Sequence, residues 1–468
     1  MTAAGESGLS ADSTARAQAA ALRAKEISAR ELLDLHLERI AGRNPELNAI
    51  VSLDPARARA GAAAADEVLV SGAEVGPLHG LPFAFKDIHA AAGWRTTYGS
   101  PLFAEYVSAA DDLIVERIRR AGVVPIGKTN VPEFAAGSHT FNRVFGTTLN
   151  PHDPSRSAGG SSGGAACALA AGMVPLAEGS DMGGSLRNPA SFCGVVGLRP
   201  SWGRVPEWPQ ANMWETTNVG GPMARTVGDL ALLLSVLAGP DPRAPHALGD
   251  PGATFGPPLE PAPLAGLRVA LSPDLGGAFA VDADVAAVVE AAGTALSGAG
   301  ASVDGAVPDL TGADECFRTL RAWHFQARFG ALLGEHPAEF KASLAANIRA
   351  GETLTGADVA LAHQRRTALA HRMREFFADH DVLVLPVSQV PPFPADQEFP
   401  TTIDGRPMES YLDWMQSAYL ITVTGCPAIS VPFGTTPDGL PVGIQIVTRH
   451  GGDRFLLEVA AAVERLAG

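Results

Sequence analysis

Apolar residues in the first part of the chain recur at the three- and four-residue spacing of amphipathic helices. This spacing predicts two helices within residues 1–45 and a third helix, rich in alanine, over residues 54–70. Ser28-Ala-Arg-Glu31 forms a capping box at the start of the second helix. Asn44-Pro45 is expected to end that helix, because proline lacks the backbone donor that a continuing helix requires.

Between residues 80 and 197, short apolar runs alternate with clusters of glycine, serine, threonine and asparagine. A helix is predicted to end at Gly122, a strand to follow over residues 123–126, and a short helix to occupy residues 165–171. Helices that alternate with strands are typical of an α/β architecture. Thr226-Val-Gly-Asp229 is a second capping box, and it predicts a further helix directly after it.

The rest of the chain begins with a loop, because eight prolines lie between residues 240 and 263. A strand–helix–strand pattern, long helical segments, buried strands and a terminal helix are predicted beyond it. The predicted strands are 268–271, 301–303, 382–387, 428–431 and 440–447, and the predicted helices are 284–296, 314–377 and 453–466.

Composition and charge narrow the class of protein. The 468 residues are 46% hydrophobic and 18% charged, which is enough apolar material for a sizeable core. A formal net charge of −15 opposes nucleic-acid binding, which needs a basic surface. We find no apolar stretch long enough for a membrane span and no secretory signal. A cytoplasmic protein with a small-molecule substrate is therefore expected, with neither nucleic acid nor membrane as a partner.

The cysteines are widely spaced and form no Cys-x-x-Cys pair, so we expect buried, reduced thiols rather than disulfides or a zinc site. Asp87-Ile-His89 is too sparse to form a metal site. No metal and no cofactor are therefore expected. The cysteines are Cys167, Cys193, Cys316 and Cys426.

Two glycine-rich segments carry the densest chemical signal. They are AGGSSGG over residues 158–164 and GSDMGGSLR over residues 179–187. Glycine lets successive backbone N–H groups converge on a negative charge. The amides from Met182 to Ser185 are therefore candidates for stabilising a tetrahedral oxyanion, and Ser185 is placed as the attacking hydroxyl.

A nucleophilic serine needs a base, and no histidine lies close to Ser185 in the sequence. Lys86 follows the apolar run 80–85, so its amine is expected to be buried. Burial disfavours the charged ammonium, and a neutral lysine can serve as the base for a serine. From the residues alone, two other interpretations stay open: Lys86 at a solvated strand edge, and the glycine run as a linker or turn.

Two further motifs match known patterns but lack their structural context. Residues 122–129 fit the phosphate-binding loop, yet their interior is an apolar run with a proline, and Pro132 follows closely. Residues 159–163 fit the nucleophile elbow, yet residues 150–156 before them are polar and turn-forming. We reject both interpretations and predict that Lys128 ends a strand.

Six segments together resemble the amidase signature family, and the likeness extends over nearly the whole chain. The 75 positions between Lys86 and Ser161 and the 24 between Ser161 and Ser185 are spacings typical of that family. The resemblance implies a single large α/β domain with a mixed, twisted central β-sheet surrounded by helices. The segments are GLPFAFKD (80–87), GKTNVPE (127–133), GGSSGG (159–164), GSDMGGSLRNPASFCGVVGLRP (179–200), GCPAISVP (425–432) and LPVGIQ (440–445).

The resemblance also assigns roles to the matching positions. Ser185 resembles the nucleophile that forms an acyl-enzyme, Ser161 resembles the bridging serine, and Lys86 resembles the terminal base. The other matching positions are Met182, Gly183, Gly184 and the Ser185 amide as an oxyanion hole, Asp181 and Arg187 as supports of the nucleophile loop, and Ala135, Gly137, Ser138 and Ser161 as substrate-binding residues.

The same likeness implies how the single domain, residues 1–468, is organised. Helices are expected at residues 1–60, the catalytic core at 80–200, and a variable linker and cap at 240–380. A homodimer is also expected from the family.

The activity implied is the hydrolysis of carboxylic amides, with aryl esters or carbamates as further substrates. The alternative is the glutaminase subunit of a tRNA-dependent amidotransferase, which needs a partner protein and a polar, charged glutamine site. The apolar segment 385–399 and the tryptophans favour a less polar substrate and a free-standing enzyme. Trp202, Trp208 and Trp214 either line an aromatic pocket or anchor a loop. Residues 422–426 (TVTGC) depart from the asparagine-containing run of many members, which leaves specificity open.

Overall fold

Helices and strands are distributed along the whole of residues 8–467, which the computed structural model describes. The α-helices of this part are α1 (Ala15–Arg23), α2 (Ala29–Leu47), α3 (Pro55–Val70), α4 (Leu113–Arg120), α5 (Gly163–Ala170), α6 (Arg187–Cys193), α7 (Val227–Leu237), α8 (Ala283–Gly298), α9 (Ala313–Glu335), α10 (Ala342–Arg349), α11 (Gly356–Asp379), α12 (Gln416–Thr422) and α13 (Asp453–Ala467). The strands are β1 (Ile50–Val51), β2 (Pro82–Lys86), β3 (Val124–Thr129), β4 (Phe141–Asn142), β5 (Gly146–Thr147), β6 (Leu176–Asp181), β7 (Val196–Arg199), β8 (Val219–Ala224), β9 (Arg268–Leu271), β10 (Ser302–Asp304), β11 (Val382–Pro386), β12 (Thr402–Ile403), β13 (Arg406–Pro407), β14 (Ala428–Thr435) and β15 (Pro441–Val447).

An eight-stranded mixed sheet forms the centre of the molecule, in the order β10-β9-β11-β15-β14-β7-β8-β6. The pairs β10–β9 and β9–β11 are parallel, and the pairs that follow are antiparallel. The predicted α/β class, with one domain and a mixed central sheet among helices, is confirmed.

Strand β11 explains why helices cover both faces of this sheet. Its five residues are all buried. Val382 and Val384 belong to one apolar core, and Leu383 and Leu385 belong to a second core on the other face. Because successive side chains of a strand point to opposite faces, an uninterrupted apolar strand needs packing partners on both sides. Helix α8 supplies partners on the first face, and α9, α10 and α11 supply them on the second.

A smaller three-stranded sheet, in the order β1-β3-β2, lies beside the N-terminal helices. Strands β2 and β3 are parallel, and β1 is antiparallel to β3. Residues 122–129 therefore form a turn and a buried strand. This agrees with the rejection of a phosphate-binding loop at these residues. The Lys128 amine donates hydrogen bonds to His89 O (2.5 Å) and Thr96 Oγ1 (3.1 Å).

The predicted start of α2 is confirmed, whereas its predicted end is wrong. The capping box of α2 is present, with Ser28 and Glu31 each binding the backbone of the other. The prediction that Asn44-Pro45 ends this helix is wrong, because α2 continues to Leu47 with Pro45 inside it. The Asn44 side chain instead accepts hydrogen bonds from the Ala49 and Ile50 amides and so organises the chain after the helix.

Of the two reciprocal hydrogen bonds predicted for the second capping box, only the one accepted by Thr226 is present. Thr226 accepts the Asp229 amide, as predicted. The Asp229 carboxylate, however, accepts hydrogen bonds from the amides of Ala15 (2.8 Å) and Arg16 (3.0 Å) at the start of α1. A residue predicted to cap its own helix therefore stabilises the N-terminus of a distant one.

The proline-rich stretch is a loop, as predicted, with a single short 3₁₀ helix at Gly252–Phe255. Arg454 of α13 holds it by donating to the carbonyls of Gly256 (2.9 Å) and Pro258 (3.0 Å). All four cysteines are buried free thiols, which confirms that prediction. Among the described residues, no helix combines the length and the apolar character that a bilayer crossing requires.

Candidate active site

Lys86 is the last residue of β2 and is fully buried. Its Nζ atom lies 2.8 Å from Ser161 Oγ, 2.9 Å from Ser162 Oγ and 3.0 Å from Ser180 Oγ. A neutral amine has two N–H donors and one lone pair, so three hydroxyls satisfy it without any carboxylate in direct contact. The structure therefore brings together Lys86 and Ser161, which sequence reasoning paired, and adds Ser162 and Ser180, which it missed.

Burial dominates the protonation of this lysine. Removal from water lowers the pKa of Lys86 from its ordinary value to about 7, against the opposing charges of Glu178 and Asp181. A large fraction of the amine is consequently neutral at neutral pH. A neutral amine next to a serine hydroxyl can accept its proton.

The pKa of Lys86 fixes the expected direction of the pH profile. Only the neutral amine is a base, so kcat/KM should fall about tenfold for each pH unit below about 7 and level off above it. We expect this result from initial rates between pH 5 and 9 with an uncharged substrate. A profile that stays flat from pH 5 to 7 while the chemical step limits the rate would contradict a lysine base.

The loop before α5 holds Ser161 in place, and its Gly160–Ser161 peptide bond is cis. The Thr140 hydroxyl donates to Gly159 O (2.9 Å) and accepts from the Gly163 amide (3.2 Å). A Cβ atom at Gly163 would lie 2.4 Å from Thr140 Oγ1, so only glycine allows this approach. The glycine-rich run is thus a tightly packed turn, and not a linker.

Ser185 lies in the turn between β6 and α6, and this turn is built around the carboxylate of Asp181. The carboxylate accepts the amides of Gly184 (3.0 Å) and Leu186 (3.1 Å). The Ser185 carbonyl in turn accepts the Ser162 amide at 3.2 Å. The loops that carry Ser161 and Ser185 are therefore joined by a backbone hydrogen bond.

A buried arginine supports the same carboxylate. Arg187 Nε lies 3.0 Å from Asp181 Oδ2, and its Nη2 lies 2.8 Å from Oδ1. Arg199 adds a third cationic contact at 3.3 Å. Burial alone would raise the pKa of Asp181, but the two guanidinium groups hold it well below its ordinary value. Asp181 is therefore a permanent anion, and the predicted pairing of Asp181 with Arg187 is present.

Arg187 also connects the nucleophile turn to helix α12 and strand β15. It donates hydrogen bonds to Ala418 O (2.9 Å), Gln445 Oε1 (2.5 Å) and Thr422 Oγ1 (3.0 Å). Thr422 belongs to segment 422–426, in which the sequence was expected to depart from the asparagine-containing run of many family members. The departure therefore contacts a support of the nucleophile turn, a role that the sequence did not reveal.

Replacement of Arg187 by leucine is expected to destabilise the fold. It would leave the buried Asp181 carboxylate without its bidentate partner, at a cost of about 3–5 kcal/mol in the free energy of unfolding. The midpoint of urea unfolding would measure the loss. The matched control is Arg59→Leu, because Arg59 and Asp34 form an exposed ion pair and little change is expected there. Equal stability of both variants would contradict a structural role for Arg187.

The amides of the nucleophile turn are not equivalent. Those of Met182, Gly183 and Ser185 donate to no other residue within the described part of the chain. The Gly184 amide, predicted as a further oxyanion donor, is instead bound by Asp181. Three backbone donors of the predicted set are consequently available to a ligand.

A cavity of about 360 Å³ opens over these groups. Of the predicted site residues, those that line it are Ser161, Ser185, Met182, Gly183, Ala135 and Gly137. Ser138 does not line it, because its hydroxyl is buried and accepts the Asn188 side chain at 3.1 Å. Phe134 and Ala135 adopt left-handed backbone conformations (φ 49° and 56°), so this wall is held in a strained geometry.

Much of the cavity wall comes from elements that sequence analysis did not connect with the site. Helix α9 contributes one face, with Arg321, His324, Phe325, Arg328 and Phe329. Counted from Arg321, the others lie three, four, seven and eight positions further on, as expected for one face of a helix. Nothing in their local sequence indicates that this face meets the nucleophile turn.

The tryptophans divide between the two interpretations offered for them. Trp208 lines the cavity. Trp202 and Trp214 instead pack against His246, with ring centroids 5.3 and 4.3 Å away, and so anchor the loop. Segment 385–399 does not line the cavity, so its apolar character carries no information about the substrate.

A histidine and a glutamate next to Lys86 were also missed. Glu178 is buried on β6 and accepts the Lys86 amide at 2.7 Å through Oε1. His89 lines the cavity, and its Nδ1 lies 2.7 Å from Glu178 Oε2. No group of three or more metal-ligating side chains is found among the described residues.

A buried lysine bonded to a serine, beside a glycine-rich turn with free amides, is the arrangement of serine hydrolases that use lysine in place of histidine. The chain belongs to the Amidase family, whose family model matches residues 31–457. It is an amide-hydrolysing enzyme.

Relatives and solved structures agree with this assignment. The chain is 37% identical over 454 residues to an acylamidase of Rhodococcus erythropolis, covering 96% of this chain and 94% of the relative. It is also 37% identical over 495 residues to one subunit of the glutamyl-tRNA(Gln) amidotransferase of Ralstonia nicotianae, covering 97% of each. A bacterial aryl acylamidase of the amidase signature family superposes with a TM-score of 0.90 at 29% identity, covering 97% of this chain and 96% of that one.

Proposed function

We propose that the protein hydrolyses amides through an acyl-enzyme on Ser185, with Ser161 and Lys86 as its proton relay. The observation that carries this proposal is the 2.8 Å contact between Lys86 Nζ and Ser161 Oγ, beneath a cavity that Ser161 and Ser185 both line. The lysine itself does not line the cavity. A relay serine is therefore needed between the base and any substrate.

The steps follow from this arrangement. Ser185 Oγ attacks the amide carbonyl, its proton passes to Ser161, and the Ser161 proton passes to Lys86. The amides of Met182, Gly183 and Ser185 stabilise the oxyanion. When the C–N bond breaks, the proton returns through Ser161 to the leaving nitrogen. Water then attacks the ester on Ser185 by the same relay and frees the carboxylic acid and the serine.

The cavity walls favour a substrate with an aromatic or apolar part. Rings from several elements line it: those of Tyr98, Phe134, Trp208, Phe325 and Phe329. Flat aromatic groups pack well against such rings. We propose aryl amides as the preferred class, in line with the aryl acylamidase that the fold resembles. Aryl esters and carbamates are proposed as further substrates, because the same attack by Ser185 on their carbonyl carbon acylates the enzyme.

A second candidate is glutamine hydrolysis within an amidotransferase complex, and Arg321 is the observation that favours it. Its guanidinium is buried beside the cavity and donates to Asn347 Oδ1 (3.1 Å) and Tyr411 OH (2.6 Å). It forms no ion pair with a carboxylate of the described chain. A glutamine carboxylate would supply the missing charge. We rank this candidate second, because five aromatic rings also line the cavity and suit a flat apolar group better than a glutamine side chain.

The test is a substrate panel with the purified chain and no added partner. It comprises an aryl anilide, a phenyl ester, an aryl carbamate, an aliphatic amide and L-glutamine, each repeated with the Ser185→Ala variant. Turnover of the anilide, ester or carbamate with glutamine untouched would support a free-standing aryl amidase. Turnover of glutamine alone, or activity only after an amidotransferase partner is added, would support the second candidate. Undiminished turnover by Ser185→Ala would contradict both.

A further inference from the structure

His89 is a cavity-lining residue that the proposed mechanism does not use. Its Nδ1 lies 2.7 Å from Glu178 Oε2, at ion-pair distance. Both atoms are buried, and neither has another hydrogen-bond partner within residues 8–467, so each depends on this close contact. The Glu178 side chain is fully buried. An anionic oxygen in that position needs a cation beside it.

Glu178 connects His89 to the proposed base. Its other oxygen, Oε1, accepts the backbone amide of Lys86 at 2.7 Å, and both oxygens belong to one carboxylate. The negative charge of Glu178 favours the protonated form of the Lys86 amine, which is the inactive form of a base. A positive charge on His89 would offset that effect, because it would neutralise the carboxylate from the cavity side.

Other charges act on this group from neighbouring elements. The carboxylates of Asp112 and Glu207 act on His89. Lys128, whose amine donates to the His89 carbonyl, also acts on Glu178. Asp181 acts on Lys86 from the other side. Three carboxylates, those of Glu178, Asp112 and Glu207, therefore act on His89.

We infer that His89 is a positioning residue which, through its 2.7 Å contact with Glu178, offsets the negative charge beside Lys86 and so keeps that amine available as a proton acceptor. The inference rests on the proposed function, since it requires Lys86 to be the base. His89 acts through Glu178 and takes no proton from the substrate.

The experiment is a comparison of kcat/KM profiles between pH 5 and 9 for His89→Gln, Glu178→Gln and the double variant. His89→Gln leaves Glu178 uncompensated, so the acid limb should move upward by about one pH unit. Glu178→Gln removes the negative charge beside Lys86, so the limb should move downward by about one unit. The double variant should return close to the wild-type limb, because the two changes act on one charge pair.

His324→Gln is the matched control, since His324 also lines the cavity but lies on α9, away from Glu178. It is expected to change KM while leaving the limb in place. A limb in His89→Gln that stays at the wild-type pH, or that moves equally in His324→Gln, would overturn the inference. If His89→Gln does not fold, Glu178→Gln decides: a limb that does not move downward is the contrary result. A wild-type enzyme without any acid limb would instead contradict the proposed function.

Discussion

Replacement of Ser185 by alanine is expected to lower kcat for amide hydrolysis by about 10⁴- to 10⁶-fold, because no covalent intermediate can then form. Within residues 8–467 the Ser185 side chain makes no hydrogen bond that holds the turn, whose geometry depends on the contacts of the Asp181 carboxylate with the Gly184 and Leu186 amides. The variant should therefore fold normally and still bind substrate. Burst kinetics and mass spectrometry of the quenched enzyme would check whether an acyl group appears on the wild type alone.

A second serine provides the control for this experiment. Ser430 lies on β14, is fully buried, and its hydroxyl has no partner in the described part of the chain. Ser430→Ala makes the same chemical change away from the cavity and should leave kcat within about twofold. A comparable loss of activity in both variants would show that packing, and not a nucleophile, explains the effect at position 185.

Replacement of Lys86 by methionine is expected to lower kcat/KM by about 10²- to 10⁴-fold, the usual contribution of a general base. Methionine keeps the apolar stem in its buried site and removes only the amine. Because Lys86 does not line the cavity, substrate binding should change little, and the loss should appear in kcat. Steady-state kinetics would separate the two parameters, and the acid limb of the pH profile should disappear with the amine.

Lys86→Arg distinguishes a base from a structural cation. A guanidinium stays protonated at every accessible pH, so it cannot accept the Ser161 proton. The arginine variant should therefore be as inactive as the methionine variant, although it restores a cation. Substantial activity in Lys86→Arg would contradict the proposed relay. Lys25→Met, a change of a lysine remote from the cavity, serves as the control.

Sequence reasoning succeeded where the signal is local or the motif is dense. The capping box at Ser28 and Glu31 needs only neighbouring residues, and it is present. Lys86 and Ser185 were predicted from their apolar and glycine-rich surroundings, Ser161 was predicted from the family resemblance, and the structure brings all three to one place. Their catalytic roles stay predictions until the variants are measured.

The strands next to the nucleophile turn escaped prediction because glycine is a poor strand former on local propensity. Tertiary packing overrides that preference here. A Cβ atom at Gly197 of β7 would lie 2.4 Å from Leu186 O, and one at Gly221 of β8 would lie 2.7 Å from Leu186 Cδ1. These strands need glycine because the turn that carries Ser185 presses directly onto them, which no local pattern can reveal.

The cavity wall was unpredictable for a different reason. Arg321 of α9 approaches Met182 across 139 positions of sequence, with Nη1 3.2 Å from Sδ. Such a contact depends on how the helices pack over the second face of the sheet. The helix was expected from its apolar spacing, but the neighbour of each of its faces is set by the tertiary fold.

The proposed base and nucleophile lie on different sheets: Lys86 ends β2 of the three-stranded sheet, and Ser185 follows β6 at the edge of the eight-stranded one. Where the two sheets meet, the Lys86 backbone amide donates a hydrogen bond to the Glu178 carboxylate of β6 and so connects them. A shift of about one ångström of one sheet relative to the other would separate the Lys86 amine from the serines while both sheets stayed intact. Activity therefore depends on the relative position of the two sheets, whereas circular dichroism measures only the secondary structure within each sheet. Efforts to raise the thermal stability of the activity should begin at the contact between the two sheets. Stabilising either sheet alone would leave their relative position unchanged.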